Sequence, residues 1–303
     1  MVKTRMRESY GDRVFSVING AVVLFIVILT AYPLYFTIIA SISDPYSVVT
    51  GKVYFWPKGF TLEAYTNIIK ESQIWIGYRN TIFYTVCGTI FNLFLTITSA
   101  YVLSKSYLPG RKVINWVYLI VMYFSGGLVP TYMLVKSLNL IDTPYVLILI
   151  GGINIYNMIV TRSYYSMSIP KELYEAANID GCGEWAAFVR IAIPLSFPII
   201  AVMSLYYGVA HWNSYFHALI YTSSRKLQPL QLVLRNILIL NQDSFDIEES
   251  SSAEDIAFMA RRAYLVQTMK YALIFIASAP VIAMYPIVQK FFIKGVMIGS
   301  IKG

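Results

Sequence analysis

The chain contains apolar runs that are too long for the core of a small soluble domain. A helix needs about 20 predominantly apolar residues to cross the hydrocarbon core of a bilayer. In that core every backbone N–H and C=O must find a partner in the protein, which allows only helices or closed barrels. We therefore predict an all-α membrane protein with one transmembrane domain over residues 1–303. The six predicted spans cover residues 15–42, 81–103, 113–135, 144–164, 195–221 and 269–292.

The composition supports a membrane protein and argues against a nucleic-acid partner. The residues are 57% hydrophobic and 13% charged, whereas soluble domains carry about 25% charged residues. The net charge is +8, but the basic residues are spread along the chain and form no cluster that would follow a phosphate backbone. We expect membrane lipids, and no nucleic acid, to surround this chain.

The distribution of charge predicts the orientation. Six spans place both termini on one side of the membrane. That side, which includes the 105–112 turn and the connection between the fourth and fifth spans, carries 13 basic and six acidic residues. The opposite side carries 11 basic and 10 acidic residues. Because short basic loops stay in the cytoplasm, both termini are predicted to be cytoplasmic.

The connection between the fourth and fifth spans, residues 169–194, is polar and longer than most loops. We call it the connecting segment. Pro170 suits the start of a helix, where its missing N–H costs nothing. Gly181 and Gly183 tolerate the left-handed backbone that ends a helix. Residues 184–193 predict a second short helix, so the segment is predicted to form a helix, a turn and a helix outside the bilayer core.

The connecting segment contains a spaced set of residues that resembles a known motif. These residues are Glu175, Ala176, Ala177, Asp180, Gly181 and Pro194. They resemble the EAA motif of ABC-importer permeases, and the flanking residues 169–173 resemble the maltose-type carbohydrate-uptake branch. The resemblance implies the type I importer permease fold in a bacterial plasma membrane. It also implies that the segment is a cytoplasmic coupling helix, which docks into a groove on a separate ATPase.

The resemblance also implies partners and a division of labour. A second homologous permease, an ATPase dimer and an extracytoplasmic solute-binding protein are expected. The sequence has no G-x-x-x-x-G-K-[ST] loop, so ATP and Mg are expected in the partner ATPase, and this chain is expected to be non-catalytic and without a cofactor. His211 and His217 are six residues apart and do not share a helical face, so no metal site is predicted.

The C-terminal tail, residues 289–303, is a second feature of the resemblance. It contains Lys294, Gly295, Lys302 and Gly303, which resemble the ending of the family. The resemblance implies that the tail reaches toward the ATPase dimer. The alternative is that these lysines only extend to the membrane edge.

Polar and aromatic residues within the spans are candidates for the substrate path. Sugar hydroxyls need hydrogen-bond partners at membrane depth. The candidate residues are Tyr132, Asn154, Asn157, Tyr206, His211 and Asn213. The alternative is that they only bond neighbouring helices to each other.

These features predict a permease subunit that imports a sugar or oligosaccharide by alternating access and forms half of the path. An ion-coupled secondary transporter is the alternative from another class, and it would need ionisable groups within its spans. Asp and Glu are missing from the apolar runs, which argues against it. An ABC permease for a non-sugar solute stays open, because the sequence does not identify the cargo.

Overall fold

A computed structural model describes residues 9–240 and 253–300, and every regular element in those ranges is helical. Phe188–Ala192 is a π-helix and Arg225–Leu227 is a 3₁₀ turn. The α-helices are α1 (Tyr10–Ser41), α2 (Pro45–Val49), α3 (Glu63–Lys70), α4 (Ser72–Ser104), α5 (Arg111–Tyr123), α6 (Leu128–Ser137), α7 (Pro144–Leu149), α8 (Ile155–Ser168), α9 (Lys171–Ile179), α10 (Glu184–Ala187), α11 (Ile193–Leu195), α12 (Phe197–Trp212), α13 (Phe216–Tyr221), α14 (Leu230–Leu240) and α15 (Ala253–Ser300). The all-α prediction is confirmed.

Three helical stretches in the described chain are long and apolar enough to cross a membrane. They are α1, α4 and Ala263–Met284 of α15. Two bent helix pairs reach that length and composition together, which makes up to five spans. In the first pair α5 and α6 meet at 113°, and in the second Glu184–Leu195 and α12 meet at 78°.

Three of the predicted spans are not continuous helices. Residues 195–221 divide between α12, which ends at Trp212, and α13, which begins at Phe216. The other two spans are interrupted at glycines. Hydropathy predicts one span over residues 113–135, but α5 ends at Tyr123 and α6 begins at Leu128. Residues 144–164 divide in the same way between α7 and α8. Gly127 and Gly151 lie in the two breaks with φ of 82° and 73°. This left-handed backbone cannot continue a right-handed helix. Hydropathy does not detect such a break and therefore predicts a continuous helix.

The described residues fall into two compact units. The first comprises residues 9–70 and 253–277. Its buried cluster joins the end of α1 to α2 and the loop that follows. The cluster consists of Ile39, Ala40, Val48 and Val53, with Phe36 and Tyr271 packed against it.

The second unit comprises residues 71–240 and 278–300, and α4 is its central helix. α4 packs against α7, α8, α12 and α14. A buried stripe follows one face of α4 at every fourth position, which is the spacing of neighbours on a helix surface. The stripe consists of Asn80, Tyr84, Gly88, Asn92, Thr96 and Ala100. Polar and small residues therefore predominate in this stripe.

Asn80 of this stripe and the buried Thr81 beside it form hydrogen bonds with the backbone that leads into α14. Asn80 Nδ2 donates hydrogen bonds to the carbonyl oxygens of Lys226 and Gln228, at 2.7 and 3.1 Å. Thr81 Oγ1 accepts one from the backbone N–H of Leu230, at 2.8 Å. These bonds pair backbone groups that no helix satisfies, which membrane-embedded chains require.

Candidate functional site

The first half of the connecting segment is α9 and a glycine turn. α9 begins after Pro170, as predicted. It ends with Gly181 in left-handed backbone at φ 74°. The N–H groups of Gly181 and Cys182 donate to the carbonyls of Asn178 and Ala177, at 3.1 and 2.8 Å. This is the Schellman ending of a helix, and it requires a residue that accepts positive φ.

The second half is one helical stretch with a π-helical centre. Gly183 lies in the predicted break between the two helices, but it has φ −68°, so of the two glycines only Gly181 uses left-handed backbone. α10, the π-helix and α11 follow one another without a gap. Pro194 lacks a backbone N–H and lies within α11. A π turn re-pairs the backbone where a regular helix would lose a hydrogen bond.

The motif residues of the connecting segment divide into exposed and buried positions. Glu175, Ala176, Asp180, Gly181 and Pro194 are exposed. Only Ala177 is buried, with 9% of its surface exposed. Ala177 therefore faces the bundle, while the others are open to a partner.

Large apolar residues in the same segment are also exposed. Ile179 is 86% exposed, Trp185 69% and Leu173 42%. An apolar face of this kind beside carboxylates is typical of a protein contact surface.

A polar and aromatic cluster fixes the connecting segment to the end of α4. The hydroxyl of Tyr101 donates to Glu184 Oε2 at 3.3 Å, and the hydroxyl of Tyr107 donates to Glu184 Oε1. Lys105 Nζ lies 3.2 Å from the ring centroid of Tyr174 and 4.4 Å from that of Tyr101. We call Tyr101, Lys105, Tyr107, Tyr174 and Glu184 the Glu184 cluster.

Burial shifts the pKa values of two side chains in the Glu184 cluster, Lys105 and Tyr174. Burial lowers the pKa of the Lys105 ammonium, and the Glu184 carboxylate partly opposes that shift. Burial raises the pKa of Tyr174 to about 12, with Glu184 as a smaller cause. The ring of Tyr174 therefore stays neutral at physiological pH and offers its face to the ammonium.

A cavity of about 580 Å³ opens between α4, α7, α8, α12 and α13. Five of the six predicted substrate-path residues line it, and no Asp, Glu, Lys or Arg is among its described lining residues. The five are Asn154, Asn157, Tyr206, His211 and Asn213. Tyr132 lies elsewhere and stacks on Tyr221, with ring centroids 6.0 Å apart.

Hydrogen bonds of Asn92 form part of the cavity wall, and they determine which atoms donate and which accept. Asn92 Nδ2 donates to the carbonyls of Gly151 and Gly152, at 3.0 and 2.8 Å. Its Oδ1 therefore faces His211 Nε2, at 2.6 Å, and accepts a hydrogen bond from the Nε2–H group. The network fixes the Nε2-protonated form of His211.

The two Asn residues of α8 have local structural roles as well. Asn154 precedes α8, and its side chain accepts from the backbone N–H of Asn157 at 3.1 Å. The N–H of Asn154 donates to Tyr207 Oη at 3.4 Å, and Tyr207 is hydrogen-bonded to Thr96 at 2.7 Å. These bonds close the cavity wall between α4, α8 and α12.

Sequence reasoning missed several residues of this wall. Gly88 is one turn before Asn92, and a Cβ there would lie closer than 3.0 Å to the His211 ring. Tyr207 and His217 also line the cavity. The only sequence signal was the four-residue spacing of small and polar residues in an apolar helix.

The predicted tail residues lie at or beyond the end of the described residues. Lys294 and Gly295 belong to α15, and their side-chain environment lies outside the described residues. Lys302 and Gly303 lie outside the described residues altogether.

Apolar spans, a polar cavity between them and an amphipathic helix pair in a connecting segment define a multi-pass solute permease. The chain belongs to the family of binding-protein-dependent transport system inner membrane components, whose model matches residues 74–298. Permeases of this family are non-catalytic; a separate ATPase hydrolyses ATP, and a solute-binding protein is a general partner. The predicted family and the non-catalytic role are confirmed.

Curated relatives match over nearly the whole chain. Protein LplC of Bacillus subtilis is 39% identical, over 98% of both chains. The polygalacturonan/rhamnogalacturonan transport system permease protein YtcP of the same species is 36% identical, over 96% of this chain and 99% of its own.

A solved structure has the same fold. It is a bacterial ABC transporter involved in the import of the acidic polysaccharide alginate. The match has a TM-score of 0.83 and 31% identity, and it covers 94% of this chain and 99% of the other. The predicted type I importer permease fold is confirmed.

Gly88→Ala is expected to destabilise the protein by about 1–3 kcal/mol, because the new methyl group would overlap the His211 ring. Thermal unfolding of the purified protein in detergent measures this change. Gly208→Ala on the facing helix α12 is the matched control, since a Cβ there meets only Thr89 Oγ1 at 3.8 Å. Equal stability of the two variants would contradict the packing described for Gly88.

Proposed function

We propose that this chain forms half of the path of an ATP-driven oligosaccharide importer and transmits the ATPase motion through its connecting segment. The observation that carries the proposal is the connecting segment itself. Its two short helices are held at a fixed angle by a glycine turn and expose both apolar and acidic side chains. Alternating access follows when movement of this segment tilts the spans around the cavity.

The docking surface of the proposal is the exposed face of the segment. Ile179 and Trp185 supply apolar area that a groove on the ATPase would cover. Glu175 and Asp180 supply charges that fix the register of the contact. The small side chain of Ala176 allows a partner to approach the exposed side of α9 closely. The π-helix and α11, which contains Pro194, join the segment to α12.

The proposed assembly contains several kinds of component besides lipid. An ATPase dimer holds ATP and Mg, so this chain itself binds no cofactor. A second, homologous permease supplies the other half of the path, and an extracytoplasmic solute-binding protein delivers the cargo. No residue of α5 is buried and most are exposed, which fits contact with lipid and with a second permease.

We propose that the termini and the connecting segment are cytoplasmic, which the excess of basic residues on that side supports. Cys182 is half-buried in the connecting segment and serves as a native reporter. In a Cys87→Ser background, a membrane-impermeant maleimide is expected to label Cys182 in inverted vesicles and not in right-side-out vesicles. The reverse pattern would contradict the orientation.

We propose that the tail reaches the ATPase through Lys294, Gly295, Lys302 and Gly303. The support is the resemblance of these residues to the ending of the family. Deletion of residues 298–303 is expected to weaken the dependence of ATP hydrolysis on substrate. An unchanged dependence would leave the tail as a membrane-edge cap.

The lining of the cavity supports an oligosaccharide as cargo. Asn154, Asn157 and Asn213 present amides, His211 an imidazole and Tyr206 a phenol, which suit sugar hydroxyls and sugar faces. A volume of about 580 Å³ lies within the usual range for ligand sites. Because two of the matched proteins are named for acidic polysaccharides, we propose an oligosaccharide that contains uronic acids.

Asn213→Ala is expected to lower uptake of oligogalacturonides about tenfold without a change in stability. Asn213 lines the cavity but is itself exposed, so its side chain is not needed for packing. Uptake by cells that express the complete importer measures the effect, with Asn236→Ala as the matched amide control. ATP-dependent uptake of a non-sugar solute instead would identify a different cargo.

Gly181→Asp is expected to abolish uptake while the protein still inserts, because a side chain strains the left-handed turn by about 1–2 kcal/mol and misaligns the docking face. Gly183→Asp is the matched control, since Gly183 has ordinary backbone and open space around it. Glu175→Lys is expected to abolish uptake through the charge. Co-purification of the ATPase and vanadate-sensitive uptake are the measurements. Normal transport by Gly181→Asp, or uptake without ATP, would contradict the proposal.

A further inference from the structure

The connecting segment is covalently continuous with α8 and α12 but not with α4. Residue 169 follows α8, and α11 leads through Ser196 into α12. α4 nevertheless forms one wall of the cavity through Asn92. The connecting segment can therefore act directly on α4 only through non-covalent contacts.

The Glu184 cluster supplies such a contact at the end of α4. Tyr101 is in the last turn of α4, only 5% exposed, and its hydroxyl donates to Glu184 at 3.3 Å. Tyr107, in the turn after α4, donates to the other oxygen of the same carboxylate. Both oxygens of one side chain in the connecting segment thus bind groups on α4 and its following turn.

Aromatic packing makes this contact stiff. The ring centroid of Tyr101 lies 4.8 Å from that of Phe188 in the connecting segment and 5.8 Å from that of Tyr165 on α8. The Lys105 ammonium lies over the rings of Tyr101 and Tyr174, which belong to different elements. Rotation of the Tyr101 side chain away from Glu184 would break its contacts with Phe188, Tyr165 and Lys105 together.

α4 is a suitable rod between the cluster and the cavity. The helix runs from Ser72 to Ser104 without a proline or a break. Tyr101 and Asn92 are nine residues apart on it, which corresponds to about 13 Å along the axis. A shift of Tyr101 therefore displaces Asn92, and with it the hydrogen bond to His211.

We propose that the Glu184 cluster is a mechanical joint, which passes movement of the connecting segment to α4 and so to the cavity wall. Glu184, Tyr101 and Tyr107 act as positioning residues for transport. This inference rests on the proposed coupling function, since it specifies how the coupled movement reaches the helix that the connecting segment does not continue into.

The reporter for this movement is a thiol introduced into the cavity. Ser214 lines it, so Ser214→Cys in a Cys87→Ser/Cys182→Ser background reacts with a methanethiosulfonate reagent at a rate set by access. The complete importer is reconstituted in nanodiscs, and the reaction rate is measured with and without ATP and vanadate. This readout requires no knowledge of the transported sugar.

The test variants remove the joint but keep the packing. Tyr101→Phe/Tyr107→Phe removes both hydroxyl donors and leaves both rings, and Glu184→Gln removes the charge at constant size. Glu71→Gln and Tyr156→Phe are the matched controls, because both side chains are exposed and lie away from the cluster. ATP hydrolysis and ATPase co-purification are measured on every variant.

We expect both joint variants to reduce the ATP-dependent change in the reactivity of the Ser214→Cys thiol at least about fivefold, the lower end of typical coupling between sites. ATP hydrolysis should stay within about twofold of the parent, because the docking face is untouched. A purely local role in stability would lower the melting temperature and leave the change in reactivity intact, which would overturn the inference.

Two other outcomes are also decisive. Loss of ATPase binding in the joint variants would mean that the cluster shapes the docking face, and it would overturn a role in transmission. A parent importer that binds no ATPase and shows no ATP-dependent change would overturn the coupling function itself, and the joint with it. Equal responses in the parent, the controls and the joint variants would overturn the joint alone.

Discussion

The second unit depends on one constraint: apolar contact alone does not hold a membrane helix to its neighbours, because lipid is as apolar as the helices themselves. The buried stripe of α4 meets this constraint with small and polar residues. Asn80 and Thr81 hold the backbone before α14, and Thr96 bonds Tyr207 on α12. Asn92 binds both the chain break before α8 and His211. The hydrogen bonds of these side chains form only when α4 is correctly placed along and around its axis, so they fix its position against the neighbouring helices.

The same helix meets both parts of the molecule for which we propose a role in transport, the cavity and the connecting segment. Its polar middle forms a wall of the cavity, and its final turn meets the connecting segment at Glu184. A helix without a proline preserves the distance between these points, so it is suited to pass on a displacement rather than absorb it. The breaks lie elsewhere, at Gly127 and Gly151, where the backbone has positive φ and the spans bend or end.

Particular residues show why some features were predictable. The Schellman turn at Gly181 could be predicted, because a glycine after a run of helix formers has a local cause. The cavity residues on α8 and α12 could be named as candidates, since amides and imidazoles in apolar runs need partners. Gly88 could not, because its role is to leave space for a ring from position 211. Tyr132 was placed in the path for its residue type, but the structure stacks it on Tyr221.

The sequence by itself determined the class of protein. Apolar runs, the distribution of basic residues and the spaced motif of the connecting segment are local properties of the chain, and they sufficed for an all-α permease. Only the tertiary structure decided which spans are broken and which polar residues share a cavity. It also decided that Glu184 meets two tyrosines from another part of the chain. These features depend on contacts between residues distant in sequence, and neither periodicity nor composition encodes which helix packs against which.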